Sequence, residues 1–255
     1  MADKEANRGT TAAAVRRAAE AGARLVVLPE AAQWPFGEPT SDLAGSAESL
    51  DGPFVEALVQ VASKTGVTAV AGMFEPSGPH RVFNTVVAVG PGGLLGAYRK
   101  LHLFDALGWR ESDRVTPGDV AAHRLVFPVD GLMCGVMTCY DLRFPEMARS
   151  LVDAGATALV LPAYWVAGPG KAEIWELLVR ARAVENTAYV LASAQPGPGA
   201  CGRSMVVDPA GELLASAPAD GEDLLTADLS PEHLARVRAS MPVLAHRRFT
   251  VQPRR

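Results

Sequence analysis

The stretch Gly131-Leu-Met-Cys-Gly-Val-Met-Thr-Cys-Tyr-Asp-Leu-Arg-Phe-Pro-Glu146 constrains this chain more than any other. Its apolar half, bounded by Gly131, reads as a buried strand, and Phe144 to Ala154 then takes up helical periodicity. Cys139 falls at the junction. In open α/β sheets, ligands lie outside the carboxyl ends of strands, where a following helix also offers backbone N–H donors. Free cysteines are usually buried small hydrophobes, and Cys134, inside the apolar run, fits that description. Cys139 differs, because Tyr140, Asp141, Arg143 and Glu146 crowd in behind it, a polar density that packing does not ask for. It is the candidate nucleophile.

The same pattern recurs along the chain. Thr10 to Ala21 reads as an alanine-rich amphipathic helix closed by Gly22, and Arg24 to Glu30 as a buried strand that stops on an acid. A helix over Pro53 to Lys64 and a strand over Val67 to Phe74 follow. A hairpin of Val82–Val89 and Gly93–Tyr98, turning about Gly90-Pro-Gly-Gly93, then runs straight into Lys100. Ala106 to Asp119 reads as an irregular loop carrying Glu111. Beyond Cys139, strands are expected at Thr157–Pro162, Tyr189–Ser193, Ser204–Asp208, Glu212–Ser216 and Leu224–Asp228. A helix over Glu173–Glu185 interrupts them, and a last helix opens on Ser230 as N-cap with Pro231 in its first turn. Interleaved helices and short strands without a break in composition predict a single α/β domain over residues 1–255.

Composition removes several function classes. With 24 Lys and Arg against 28 Asp and Glu, the formal net charge is -4, so no basic field favours nucleic acid. No apolar run approaches the roughly 20 residues of a membrane span, and the N-terminus lacks a signal-peptide core, which predicts a cytoplasmic protein without a membrane partner. The spacing of Cys134, Cys139 and Cys201 makes neither a disulfide framework nor a zinc site. Gly197-Pro-Gly-Ala-Cys-Gly202 spells GxGxxG, but a strand rather than a helix follows it, so it is not a dinucleotide loop. His102, two residues past Lys100, is a further potential base, though histidines in such places are more often structural.

Glu30, Lys100 and Cys139, each closing a predicted strand, sit in motifs that resemble the nitrilase superfamily of carbon–nitrogen hydrolases. The residues carrying the resemblance are Val27-Leu-Pro-Glu30, Tyr98-Arg-Lys-Leu-His-Leu-Phe-Asp105 and Cys139-Tyr-Asp-Leu-Arg-Phe-Pro-Glu146. They are joined by Trp175 to Asn186, Gly202 to Pro209 and Pro242 to Arg248, so the match spans nearly the whole chain. The resemblance implies a four-layer αββα sandwich, assembly into homodimers or larger homo-oligomers, and a Glu-Lys-Cys triad that needs no cofactor and no metal. Within the superfamily the chain is similar to omega-amidases and deaminated-glutathione amidases. On that basis Cys139 is the nucleophile, Glu30 the base and Lys100, with the backbone N–H of Tyr140, the oxyanion stabiliser, while Glu111 is the second glutamate beside the lysine.

The expected activity is release of ammonia from a small carboxylate-bearing amide. An N-carbamoyl amino-acid hydrolase is the neighbouring reading, and a non-catalytic assembly or binding module the rival from another class. Family members usually open with an apolar strand before the first helix. Here the chain starts almost directly in that helix, so the first strand is expected to be missing, at a cost in solubility or regular assembly. The loop Phe104 to Glu111 is shorter than in the well-known amidases, and Ala163 to Trp175 departs from their Gly-Pro-Ala-His-Trp. Both are expected to line the pocket, with Tyr164 and Trp165 in its wall and Arg143 or Lys171 pairing with the substrate carboxylate. For Lys171, a solvated lysine at a helix start is the competing reading.

Overall fold

Near-continuous apolar runs in the first half pair with one another. In the computed structural model, which describes residues 2–38, 41–197, 199–219 and 224–254, the chain divides after His123 into two structural units. In the first, β1 (Leu25–Val27), β2 (Thr68–Gly78), β3 (Arg81–Gly90) and β4 (Gly93–Arg99) form a sheet in the order β1-β2-β3-β4. β1 runs parallel to β2, and the rest is antiparallel. Ala69, Val70, Ala71, Met73 and Phe74 of β2 and Val86 to Val89 of β3 are fully buried, and this sets the β2–β3 register. The hairpin turns on Pro91-Gly92 as its spacing predicts, with Gly93 at a φ of +120° that suits glycine.

Two helices belong to this unit. α1 (Lys4–Glu20) starts earlier than its alanine-rich stretch suggests, because Asp3 caps it by accepting from the Ala6 N–H. α2 (Pro53–Thr65) has proline in its first turn and a left-handed Gly66 at its end, and it buries Phe54, Val55, Leu58, Val61 and Ala62 along one face.

The second unit carries a sheet of six strands in the order β10-β9-β8-β7-β6-β5. Its centre is parallel: β6 (Leu132–Val136), β7 (Ala158–Ala163) and β8 (Tyr189–Ala194). β5 (Val126–Val129), β9 (Met205–Val207) and β10 (Leu213–Ser216) extend it antiparallel. α3 (Pro145–Asp153) connects β6 to β7, and α4 (Lys171–Asn186) connects β7 to β8. All six residues of β7 are buried, as a parallel strand covered on both faces requires. α5 (Pro231–Ser240) begins with the Ser230 side chain accepting from the His233 N–H.

The α/β class and most elements agree with the sequence reading, with two corrections. β1 ends at Val27 instead of Glu30, because Pro29 has no N–H for the ladder and Ala31 turns left-handed at a φ of 57°. Residues 224–228 form no strand: β10 ends the described sheet, paired with β9, and the segment runs half-exposed beyond it. Among the described residues no helix is long and apolar enough to cross a membrane.

Gly72 on β2 faces the turn after β1 so closely that a Cβ there would lie 2.5 Å from the Ala31 nitrogen and 2.9 Å from the Glu30 Cα. Backbone atoms cannot yield as a flexible side chain would. Gly72→Ala should therefore lower the urea-unfolding free energy by about 1–3 kcal/mol. Gly9→Ala, on the exposed face of α1 with nothing within 4 Å of the added carbon, should raise it by about 0.5–1 kcal/mol.

Candidate active site

Three of the residues singled out by the sequence meet in the first unit. Glu30 stands on the turn after β1, held from behind by Gly72. Lys100 follows β4 directly. Its N–H donates to the Asn84 carbonyl at 2.8 Å, and its carbonyl accepts from the Gly118 N–H at 2.9 Å. Gly118 comes so close that a Cβ there would lie 2.3 Å from the Arg99 carbonyl oxygen. Glu111 begins a short 3-10 turn, Glu111–Asp113, on the long irregular loop. Arg81 pins that loop by donating to the carbonyls of Ser112, Asp113 and Val115 and to the Thr116 hydroxyl.

These side chains are almost sealed from water: Glu30 and Lys100 are 1% exposed and Glu111 8%. The Lys100 ammonium donates to Glu30 Oε1 at 3.0 Å and to Glu111 Oε1 and Oε2 at 3.1 and 2.9 Å. Glu111 Oε2 also accepts from the Phe104 N–H at 2.7 Å. Two carboxylates hold a buried ammonium in one direction, and each partner offsets part of the desolvation of the others. Sequence reasoning missed a fourth member, Asn84. It is fully buried in the middle of β3, and its Nδ2 donates to Glu30 Oε1 at 2.7 Å and to Glu111 Oε1 at 3.1 Å. The local signal is slight: an amide beside Thr85, ahead of an apolar run.

Cys139 belongs to the second unit. It opens a five-residue 3-10 segment, Cys139–Arg143, that follows β6. Its φ is +46°, a left-handed conformation that a non-glycine residue adopts only when the surroundings impose it. A capping box supplies that constraint. The Thr138 side chain accepts from the Asp141 backbone, the Asp141 Oδ2 accepts from the Thr138 N–H at 3.0 Å, and the Thr138 hydroxyl donates to the Pro162 carbonyl at 2.7 Å. Buried Arg182 of α4 donates to the Leu142 carbonyl from behind. The Cys139 thiol is 7% exposed and lies 3.4 Å from the Tyr164 carbonyl oxygen. Tyr140 N–H belongs to the first turn of the same 3-10 segment.

Trp165, directly after Tyr164, collects both cations singled out by the sequence. The Arg143 guanidinium lies 5.1 Å and the Lys171 ammonium 4.9 Å from its ring centroid, and the Trp165 Nε1 donates to the Lys171 carbonyl at 3.0 Å. Lys171 is only 9% exposed, which corrects the solvated-lysine reading. Burial, and next the Arg143 charge, hold its ammonium below the usual lysine range. Among the described residues no group of three or more His, Cys, Asp or Glu side chains is placed to hold a metal ion.

The three cysteines form no disulfide, and burial acts strongly on two of them. It pushes Cys134 up to about 12 and Cys201 up to about 11, so neither holds appreciable thiolate near neutrality. Iodoacetamide at pH 7.5 should therefore label the folded protein once, at Cys139, as read by peptide mass spectrometry. Cys134 and Cys201 should react only after unfolding in urea, and equal labelling of all three in the native protein would contradict this assignment.

The chain is similar to several known proteins. The deaminated glutathione amidase of Escherichia coli O157:H7 is 39% identical over 245 residues, covering 96% of this chain and 92% of that protein. Omega-amidase NIT2 of Xenopus tropicalis is 36% identical over 246 residues, covering 92% of this chain and 86% of that protein. Among solved structures, Nit3 of Saccharomyces cerevisiae, described as a member of branch 10 of the nitrilase superfamily, superposes with a TM-score of 0.83. It is 30% identical and covers 98% of this chain and 93% of its own. The family model for carbon-nitrogen hydrolases matches residues 1–239, and the chain belongs to that family, within the nitrilase superfamily that its motifs resemble.

Proposed function

We propose that the chain acts as one catalytic domain, an amidase that releases ammonia from a small carboxylate-bearing amide through a thioester on Cys139. The observation that carries this reading is the buried cluster in which Lys100 is held between Glu30 and Glu111. A fold needs no such cluster, since apolar residues of similar volume would be at least as stable. The names of the relatives supply the reaction type.

In this reading Glu30 takes the Cys139 thiol proton as sulfur attacks the amide carbonyl carbon. The carbonyl π electrons move onto oxygen, and Lys100 with the Tyr140 N–H stabilises the oxyanion. Glu30 passes the proton to the amide nitrogen, the C–N bond breaks, ammonia leaves and the acyl group remains on sulfur. A water molecule, deprotonated by Glu30, then attacks the thioester. Collapse releases the carboxylic acid and returns the proton to the thiolate. Glu111 orients the lysine throughout. Every electron pair is accounted for among substrate, water and these side chains.

The substrate carboxylate is assigned to Arg143 and Lys171 on Trp165, with Tyr164 beside Cys139 in the same wall. Two cations on one indole favour an anion near the reacting thiol. Because the Lys171 ammonium sits below the usual lysine range, KM for an acidic amide should rise as pH climbs through that lowered value, at lower pH than an ordinary lysine would dictate. A homodimer or larger homo-oligomer in the cytoplasm is the setting we assign to the enzyme.

The test is ammonia release from omega-amides of dicarboxylic acids, N-carbamoyl amino acids and nitriles. Omega-amides should be hydrolysed, Cys139→Ala should lower kcat by at least about 10⁴-fold, and Lys171→Ala should raise KM for the acidic amide about tenfold while leaving a neutral amide unchanged. Carbon dioxide released together with ammonia would move the substrate to carbamoyl compounds. Undiminished turnover in Cys139→Ala would overturn the reading.

A further inference from the structure

We infer that Asn84 is a positioning residue of the carboxylate–lysine cluster, a side chain that fixes the spacing of Glu30 and Glu111 about Lys100. The inference deepens the amidase reading and rests on it for the roles of the three charged groups.

Asn84 lies on β3 between β2 and β4, opposite Phe74 and one residue before Thr85, the partner of Arg99. From there it touches every charged member of the cluster. Its backbone carbonyl receives the Lys100 N–H at 2.8 Å. Its Nδ2 reaches Glu30 Oε1 at 2.7 Å and Glu111 Oε1 at 3.1 Å. The same two oxygens accept from the Lys100 ammonium, at 3.0 and 3.1 Å. Nδ2 and Nζ thus form the two bridges between one pair of carboxylate oxygens.

The chemistry of an amide suits this place and few others do. One NH₂ group carries two hydrogens at a fixed angle in one plane, one for each carboxylate. A hydroxyl has a single hydrogen, and a second ammonium would add charge and a longer stem. The two carboxylates share one positive charge and repel each other, so a neutral double donor holds them at a set separation without altering the charge balance of the site.

A purely structural role does not account for the residue. Its neighbours Val82, Val86 and Val87 are apolar and fully buried, and an apolar side chain would pack there without a polar cost. Asn84 is instead fully buried, and its Oδ1 finds no hydrogen-bond partner among the described residues. Burying an amide with its oxygen unsatisfied works against stability. What the residue gives in return is two donors aimed at the base and at the lysine's second partner.

The experiment compares Asn84→Asp, Asn84→Ala and Asn84→Ser with the unaltered chain, each first shown to melt cooperatively. Asn84→Asp keeps the shape but replaces both donors with acceptors, and kcat for an omega-amide should fall at least 100-fold with KM within about threefold. Asn84→Ala should lose about 10- to 100-fold, and Asn84→Ser, which keeps one donor, should lie between it and the unaltered enzyme. A second readout needs no turnover: the second-order rate of Cys139 alkylation by iodoacetamide should fall at least tenfold in Asn84→Asp, since misplaced Glu30 no longer draws off the thiol proton. A folded Asn84→Ala with unchanged kcat, a loss confined to KM, or unchanged alkylation in Asn84→Asp would overturn the inference. An unaltered chain that hydrolyses nothing on the panel, yet shows the alkylation difference, would instead overturn the amidase reading and leave the positioning role standing.

Discussion

An ammonium and two carboxylates removed from water together are the constraint around which the first structural unit is built. Any one of them alone in that environment would be strongly destabilising, and taking one partner from a buried ion pair typically costs about 3–5 kcal/mol. Lys100 answers both Glu30 and Glu111, and Asn84 supplies the donors that one lysine cannot. The scaffold around them is correspondingly tight. Gly72 and Gly118 admit backbone where no side chain would fit, and Arg81 ties down the loop that delivers Glu111. These features exchange stability for precision, as sites that hold reacting groups at fixed distances commonly do.

The second unit solves a different problem with similar means. Cys139 is locked in a left-handed conformation by the Thr138–Asp141 box, with Arg182 bracing the segment behind it, an arrangement that suits the nucleophile we propose. Burial is the largest cause that pushes the other two thiols up, Cys134 to about 12 and Cys201 to about 11. Arg143 and Lys171 are both drawn onto Trp165, which places two cations on one indole.

Much of this was legible in the sequence, and the reasons differ by residue. Glu30, Lys100 and Cys139 stood out because each polar or reactive group interrupts the end of an apolar run, which local pattern alone reveals. The hairpin was readable from Gly90-Pro-Gly-Gly93, and the start of α5 from Ser230-Pro231. Asn84 was not, since its role depends on which strands lie beside β3, a fact of register rather than of neighbouring letters. The close approaches at Gly72 and Gly118 were hidden for the same reason. The competing reading of Lys171 as solvated failed because polarity at a helix start suggests exposure, whereas the side chain is buried with its ammonium over the Trp165 ring. The strand expected at 224–228 failed because β-propensity needs a partner edge, and the segment has none among the described residues.

The central claim is that an acyl group passes through Cys139. The most direct measurement is intact-mass spectrometry of enzyme mixed with an omega-amide and quenched in acid within the first turnover. The account predicts an adduct equal to the substrate's acyl mass, mapped to the Cys139 peptide, absent in Cys139→Ala and decaying as free acid appears. Ammonia released at full rate with no adduct at any time, or an adduct on another residue, would contradict it.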